Sequence, residues 1–124
     1  MPNHVTNILE FTCTDEQFEK LAEALKVEGS FPGSVDFNKL IPMPASLNVE
    51  AGSRGNMGLK LYTEFLTECA GVTDRAKLDG IREKYRDKVK DDLEILDLGK
   101  QYYENIDKYG APTWYEWCNK NWGT

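Results

Sequence analysis

The sequence predicts an α+β domain that opens on a strand-helix-strand unit and continues into packed helices. Three observations carry that expectation. From His4 to Phe11 the pattern alternates, setting Val5, Leu9 and Phe11 on one face with Asn7 and Thr6 and Glu10 on the other, which is the period of a half-buried strand. Phe18, Leu21, Ala22 and Leu25 then recur at i, i+3, i+4 and i+7 behind Thr14 and Gln17, whose spacing is that of a capping box. Finally, Val35, Phe37 and Ile41 suggest a second strand, broken by Pro42 and Pro44.

Between these elements Gly29, Ser30, Pro32, Gly33 and Ser34 supply turn chemistry. Asn48 to Gly58 carries Gly52, Gly55, Gly58 and Arg54 without periodicity, so it reads as a mobile loop. Tyr62, Phe65, Leu66, Cys69 and Ala70 mark a helical stripe that stops at Gly71. Leu78, Ile81, Tyr85 and Val89 mark a second, starting near Thr73 or Asp74, and the two helices should run antiparallel. Helix continues or restarts after Asp91 and Asp92 and stops at Gly110 and Pro112. Thr113 and Glu116 repeat the capping-box spacing before a short helix bearing Trp114, Trp117 and Cys118 on one face.

Composition narrows the class. A chain of 124 residues with 40% hydrophobic and 11% aromatic residues suits a single domain with one core. No apolar run reaches the roughly 20 residues of a membrane span, and Met1 to His4 lacks the character of a secretory signal. A cytoplasmic protein without membrane partners is expected. Three dispersed cysteines, Cys13, Cys69 and Cys118, read as reduced, buried thiols rather than a disulfide framework. A net charge of −6 disfavours non-specific nucleic-acid binding, which depends on cations neutralising phosphates.

Four stretches also line up in order: Met1-Pro2-Asn3-His4-Val5-Thr6-Asn7; Val35 through Pro44; Tyr109-Gly110; and Thr113 through Thr124, with its Trp-Tyr-Glu-Trp-Cys and Asn-Trp-Gly. Together they resemble the YubB-like ferredoxin-like domain family of phage and plasmid proteins. The resemblance implies a ferredoxin-like α+β domain spanning residues 1–124, with a helical middle region and without known catalytic residues. Family members usually continue past Trp-Gly-Thr into further strands, and this chain stops there. A partial β-α-β unit is therefore expected, whose open sheet edge would be covered by residues 59–109 or paired in a homodimer.

His4 with three cysteines raises zinc or thiol chemistry, but no C-x-x-C or H-x-x-x-H spacing supports it, and no metal or cofactor is expected. Glycines before a helix can cradle phosphate, yet no Gly-Lys-Ser or Gly-Lys-Thr follows Gly58. That loop, with Arg54 and nearby Cys69 or Cys118, is the basis of a ligand-binding or enzymatic alternative. Arg75, Arg82, Arg86 and Lys90 would form a basic ridge for nucleic acid, but residues 74–92 hold seven basic and six acidic side chains, which suits a salt-bridged solvent face better. The carboxylates around the first helix would mimic a phosphate backbone or simply face solvent. Trp114 and Trp117 are assigned to a core against the sheet, leaving Tyr115 and Trp122 as the exposed aromatics suited to recognition. Arg54, Arg82, Arg86, Tyr115 and Trp122 are thus the candidate binding residues. The leading expectation is a small non-enzymatic accessory protein of a phage or mobile element that binds a host protein, with inhibition of a bacterial defence system, such as an anti-CRISPR activity, as its narrower form.

Overall fold

The computed structural model describes residues 8–30 and 33–123, and these divide at Pro42 into two compact units. In the first unit, helix α1 spans Asp15–Leu25. Its start is the capping box that the sequence announces: the Gln17 N–H donates to Thr14 Oγ1 at 3.3 Å and the Thr14 N–H donates to Gln17 Oε1 at 3.1 Å. Leu21, Ala22 and Leu25 are half-buried, while Phe18 stays exposed and the helix buries no residue completely.

Among the described residues there is no strand, so the expected α+β class and its partial ferredoxin-like β-α-β unit are overturned: every regular element described is helical. Of the first predicted strand, residues 4–7 lie outside the described residues, and Ile8, Leu9 and Phe11 are exposed and unpaired with any ladder. A strand is stable only when a neighbour takes its N–H and C=O groups, and alternation alone does not supply that neighbour. The second predicted strand is a single 3₁₀ turn at Phe37–Lys39. Here Asp36 accepts from the Asn38 N–H at 2.9 Å, a local bond that offers the backbone an alternative to a ladder. With no strand among the described residues, the sheet edge invoked for a homodimer has no counterpart there.

The second unit begins at Met43. A 3₁₀ turn at Ala45–Leu47 precedes α2 (Ser53–Cys69), α3 (Arg75–Lys88), α4 (Glu94–Tyr109) and α5 (Trp114–Asn121). Helix α3 starts as its sequence indicates, with Asp74 accepting from the Ala76 N–H at 2.9 Å. Helix α4 ends at Gly110, whose φ of 69° is the left-handed stop that glycine accommodates. Thr113 caps α5 by accepting from the Tyr115 N–H at 3.2 Å and donating its hydroxyl hydrogen bond to Glu116.

Of the loop expected from Asn48 to Gly58, residues 53–58 are instead the first turns of α2, and Gly55 and Gly58 serve packing. A methyl group at Gly58 would lie 2.3 Å from the Ile95 carbonyl oxygen, and one at Gly99 would lie 2.0 Å from the Gly58 carbonyl oxygen. Helices α2 and α4 therefore cross backbone against backbone, an approach open only to residues without a Cβ. One turn earlier, Gly55 receives the ring of Tyr102, which is 1% exposed and donates its hydroxyl to the Glu50 carbonyl.

A second part of this core gathers Leu47, Ala111, Trp117 and Cys118, with Met43 and Trp122 packed on it. The expectation that Trp114 and Trp117 are both core is half corrected. Trp117 is 7% exposed, whereas Trp114 is 42% exposed and meets Tyr115 edge-on with centroids 5.8 Å apart. Trp122, expected at the surface, folds back onto Trp117 at 5.5 Å. The buried stripe of α5 runs through Trp117 and Cys118 toward Trp122, leaving Trp114 at its edge. Buried Asn105 locks this region by donating Nδ2 to the Ser46 and Pro112 carbonyls, each at 2.9 Å, so its amide is satisfied despite burial.

Candidate protein-binding groove

Helices α2, α3 and α4 enclose a groove of about 290 Å³. Each helix presents one face to it. From α3 and the residue after it come Arg82, Tyr85, Arg86 and Val89, at i, i+3, i+4 and i+7; from α4 and the residue before it come Leu93, Leu96, Asp97 and Lys100, at the same spacing. Helix α2 adds Tyr62 and Phe65, three residues apart. This is the helical period used to build a concave face rather than a sealed core.

The floor is aromatic and rigid. Phe65 meets Tyr85 edge-on at 5.5 Å, and Tyr62 meets Tyr103 edge-on at 5.7 Å. Tyr85 is 1% exposed and donates its hydroxyl to Glu68 at 2.7 Å, while Lys84 Nζ bonds the same carboxylate at 2.8 Å. Lys88 Nζ lies 4.6 Å from the Tyr85 ring centre, a cation-π distance. Helices α2 and α3 are thereby pinned beside the groove by a Glu68, Lys84 and Tyr85 cluster.

That cluster is electrostatically marked. The hydrogen bonds from Lys84 and then Tyr85 hold the Glu68 carboxyl below its usual range. The bond to Glu68, with burial second, pushes the Tyr85 hydroxyl up to about 12.

Arg54 forms the other marked cluster. It sits in the first turn of α2 rather than at a loop tip, with Nε 2.6 Å from Asp92 Oδ2 and Nη2 2.7 Å from Asp92 Oδ1, a two-bond fork. Its Nη1 reaches Glu50 at 2.9 Å, and Glu94 lies 3.7 Å from Nη2. The hydrogen bond from Arg54 holds the Asp92 carboxyl below its usual range, and Asp92 first, then Glu50, raises the guanidinium further. In this structure Arg54 ties the start of α2 to the start of α4.

These shifts set a pH dependence. Glu68 and Asp92 bind protons more weakly folded than unfolded, so their contribution is complete above the ordinary carboxylate range of about 4 and is lost as pH falls through their lowered values. Tyr85 binds its proton more strongly folded, so its contribution holds below about 10 and is lost as pH rises toward about 12. Urea midpoints measured across pH should fall at both ends. Asp92→Asn should flatten the acid limb and Tyr85→Phe the alkaline limb; unchanged limbs would show that these clusters are not coupled to folding.

The five residues singled out by sequence are thus scattered. Arg82 and Arg86 line the groove, Arg54 is in its ion-pair fork, and Tyr115 is an exposed residue of α5 with Trp114. Trp122 is packed on Trp117. Of the other two cations of the expected ridge, Arg75 and Lys90, neither lines the groove, while Lys84 and Lys88 on the same helix are directed at Glu68 and the Tyr85 ring. Lys100, which sequence reasoning passed over, completes the groove's cationic rim, and its i+7 relation to Leu93 was the available signal.

Cys118 is buried beside Met43, with the two sulfurs 3.9 Å apart, and burial pushes its thiol pKa up. Cys69 is half-buried and Cys13 is exposed, so the expectation of three buried thiols holds for Cys118 alone. None of Arg54, Cys69 and Cys118 lines the groove. Among the described residues no three His, Cys, Asp or Glu side chains gather as metal ligands, and no helix is long and apolar enough to cross a membrane. No family model, no curated protein and no solved structure matches this chain.

Proposed function

We propose that the chain works by binding a protein partner, without chemistry of its own. The observation that supports this reading is the groove itself: an open, aromatic-floored concavity rimmed by Arg82, Arg86 and Lys100. Aromatic and arginine side chains are the residue types that dominate interface energetics. The charged side chains with marked pKa shifts, by contrast, are engaged in tying elements together, as Arg54 with Asp92 and Glu68 with Tyr85 illustrate. An acidic chain of net charge −6 with a local cationic rim suits selective docking better than general attraction to polyanions.

The narrower form of the proposal, an accessory protein of a phage or related element that inhibits a bacterial defence system, depends on the resemblance of the terminal motifs to the YubB-like family. The fold that this resemblance implied is absent from the described residues, so the wider reading rests on the groove. Tagged protein incubated in bacterial host lysate at native salt is expected to retain a discrete, stoichiometric protein. Recovery of none would sink the reading.

A further inference from the structure

We propose that the groove between α2, α3 and α4 receives an acidic peptide segment that inserts an aromatic or leucine side chain and flanks it with carboxylates. The inference rests on the protein-binding reading and names the chemistry of the partner.

Charge decides the flanks. The groove carries three cations, Arg82, Arg86 and Lys100, against one carboxylate, Asp97, within a chain whose net charge is −6. Its sign is therefore opposite to that of the molecule around it, and such a local inversion steers an anionic partner to this face. The three cations are also incompletely used. Arg86 makes no ion pair among the described residues. Arg82 approaches Asp79 only to 3.5 Å and Lys100 approaches Glu104 only to 3.9 Å, all at exposed positions. Arg54 shows what a satisfied arginine looks like in this protein, with hydrogen bonds of 2.6, 2.7 and 2.9 Å to two carboxylates. Loose surface pairs of the Arg82 kind contribute little and yield readily to a partner's carboxylate.

The floor decides the anchor. Tyr62, Phe65, Val89 and Leu96 provide apolar surface beneath the cations, and Leu93 at the lip is 60% exposed. About 290 Å³ suits inserted side chains of a peptide, being at the bottom of the range of pockets that enclose whole small ligands. A polynucleotide is the poorer fit. It needs cations in a row that follows its phosphates, whereas here three surround an apolar pit and Lys84 and Lys88 are committed to Glu68 and Tyr85.

The test is selection of peptides from a random linear library displayed on phage against the full chain. Selected peptides are then made with a fluorescein label and titrated by anisotropy against wild type, Arg86→Glu, Lys100→Glu and the milder Arg86→Gln, each checked for helicity. Exposed Lys77, on α3 but outside the groove, provides the Lys77→Glu control. The expected result is enrichment of Asp and Glu beside Phe, Trp or Leu. Affinity should fall about tenfold with either charge reversal and less with Arg86→Gln, should be unchanged with Lys77→Glu, and should weaken as salt rises. Peptides without acidic enrichment, or acidic peptides indifferent to Arg86→Glu and Lys100→Glu, would overturn the proposal. If such peptides depend instead on Trp114→Ala, the groove assignment fails while protein binding stands. If no peptide is selected and a labelled single-stranded DNA binds in a salt-sensitive way, both fail.

Discussion

Replacing Gly58 or Gly99 with alanine is expected to destabilise the helical unit by about 3 kcal/mol or more, the upper end of what overpacking costs. The reason is the identity of the obstructing atoms. A Cβ at Gly58 would meet the Ile95 carbonyl oxygen at 2.3 Å and the Gly99 nitrogen at 3.0 Å, and one at Gly99 would meet the Gly58 carbonyl oxygen at 2.0 Å and its carbon at 2.2 Å. These are backbone atoms of regular helices, so no rotamer change relieves the clash, and α2 and α4 must separate. Separation exposes the Tyr102 ring seated on Gly55 and loosens the Arg54 fork to Asp92, since both bridge the same pair of helices. Gly80 provides the contrast. It lies exposed within α3 and a Cβ there meets nothing within 4 Å, so Gly80→Ala should raise stability by about 0.5 to 1 kcal/mol through helix propensity alone. Urea denaturation of the variants checks both signs; a wild-type midpoint for Gly58→Ala would refute the backbone crossing.

The same glycines show where sequence reading stops. Helix starts were legible because their cause is local: Thr14 with Gln17, Asp74, and Thr113 with Glu116 each satisfy N–H groups within three residues of themselves. The stop at Gly110 was legible for the same reason. Gly55 and Gly58 carry no such signature. A glycine that permits another helix to approach is indistinguishable in sequence from one that loosens a loop, because its partner, here Gly99 or Tyr102, lies more than 40 positions away. Strand formation failed for a related reason. Val5, Leu9 and Phe11 alternate, but a strand also requires a neighbour, and the neighbour expected around Phe37 makes a 3₁₀ turn under the local bond from Asn38 to Asp36. The groove was half visible. Arg82 and Arg86 were singled out beside the stripe of Tyr85 and Val89, but only the meeting of α3 with α4 turns that stripe into a floor and adds Lys100 to the rim.

Helix α5 allows the core and surface roles of aromatic residues to be separated within one turn. Trp117→Ala is expected to cost about 3 to 5 kcal/mol, the usual range for truncating a buried large ring, because Trp117 is 7% exposed among Leu47, Ala111 and Cys118. It also removes the edge-on partner of Trp122, whose ring lies 5.5 Å away, so Trp122 should become solvated and its fluorescence should shift to the red. Trp114→Ala should change stability by less than about 1 kcal/mol, since it is 42% exposed and its ring meets that of exposed Tyr115. Trp117→Phe should recover part of the loss, as a smaller ring still fills some of the space. Denaturation followed by tryptophan emission distinguishes the cases. Equal costs at positions 114 and 117 would mean that α5 is rotated from the orientation described. A large cost at 117 with none at 114 would leave Trp114 and Tyr115 as surface aromatics whose replacement tests binding without unfolding the chain.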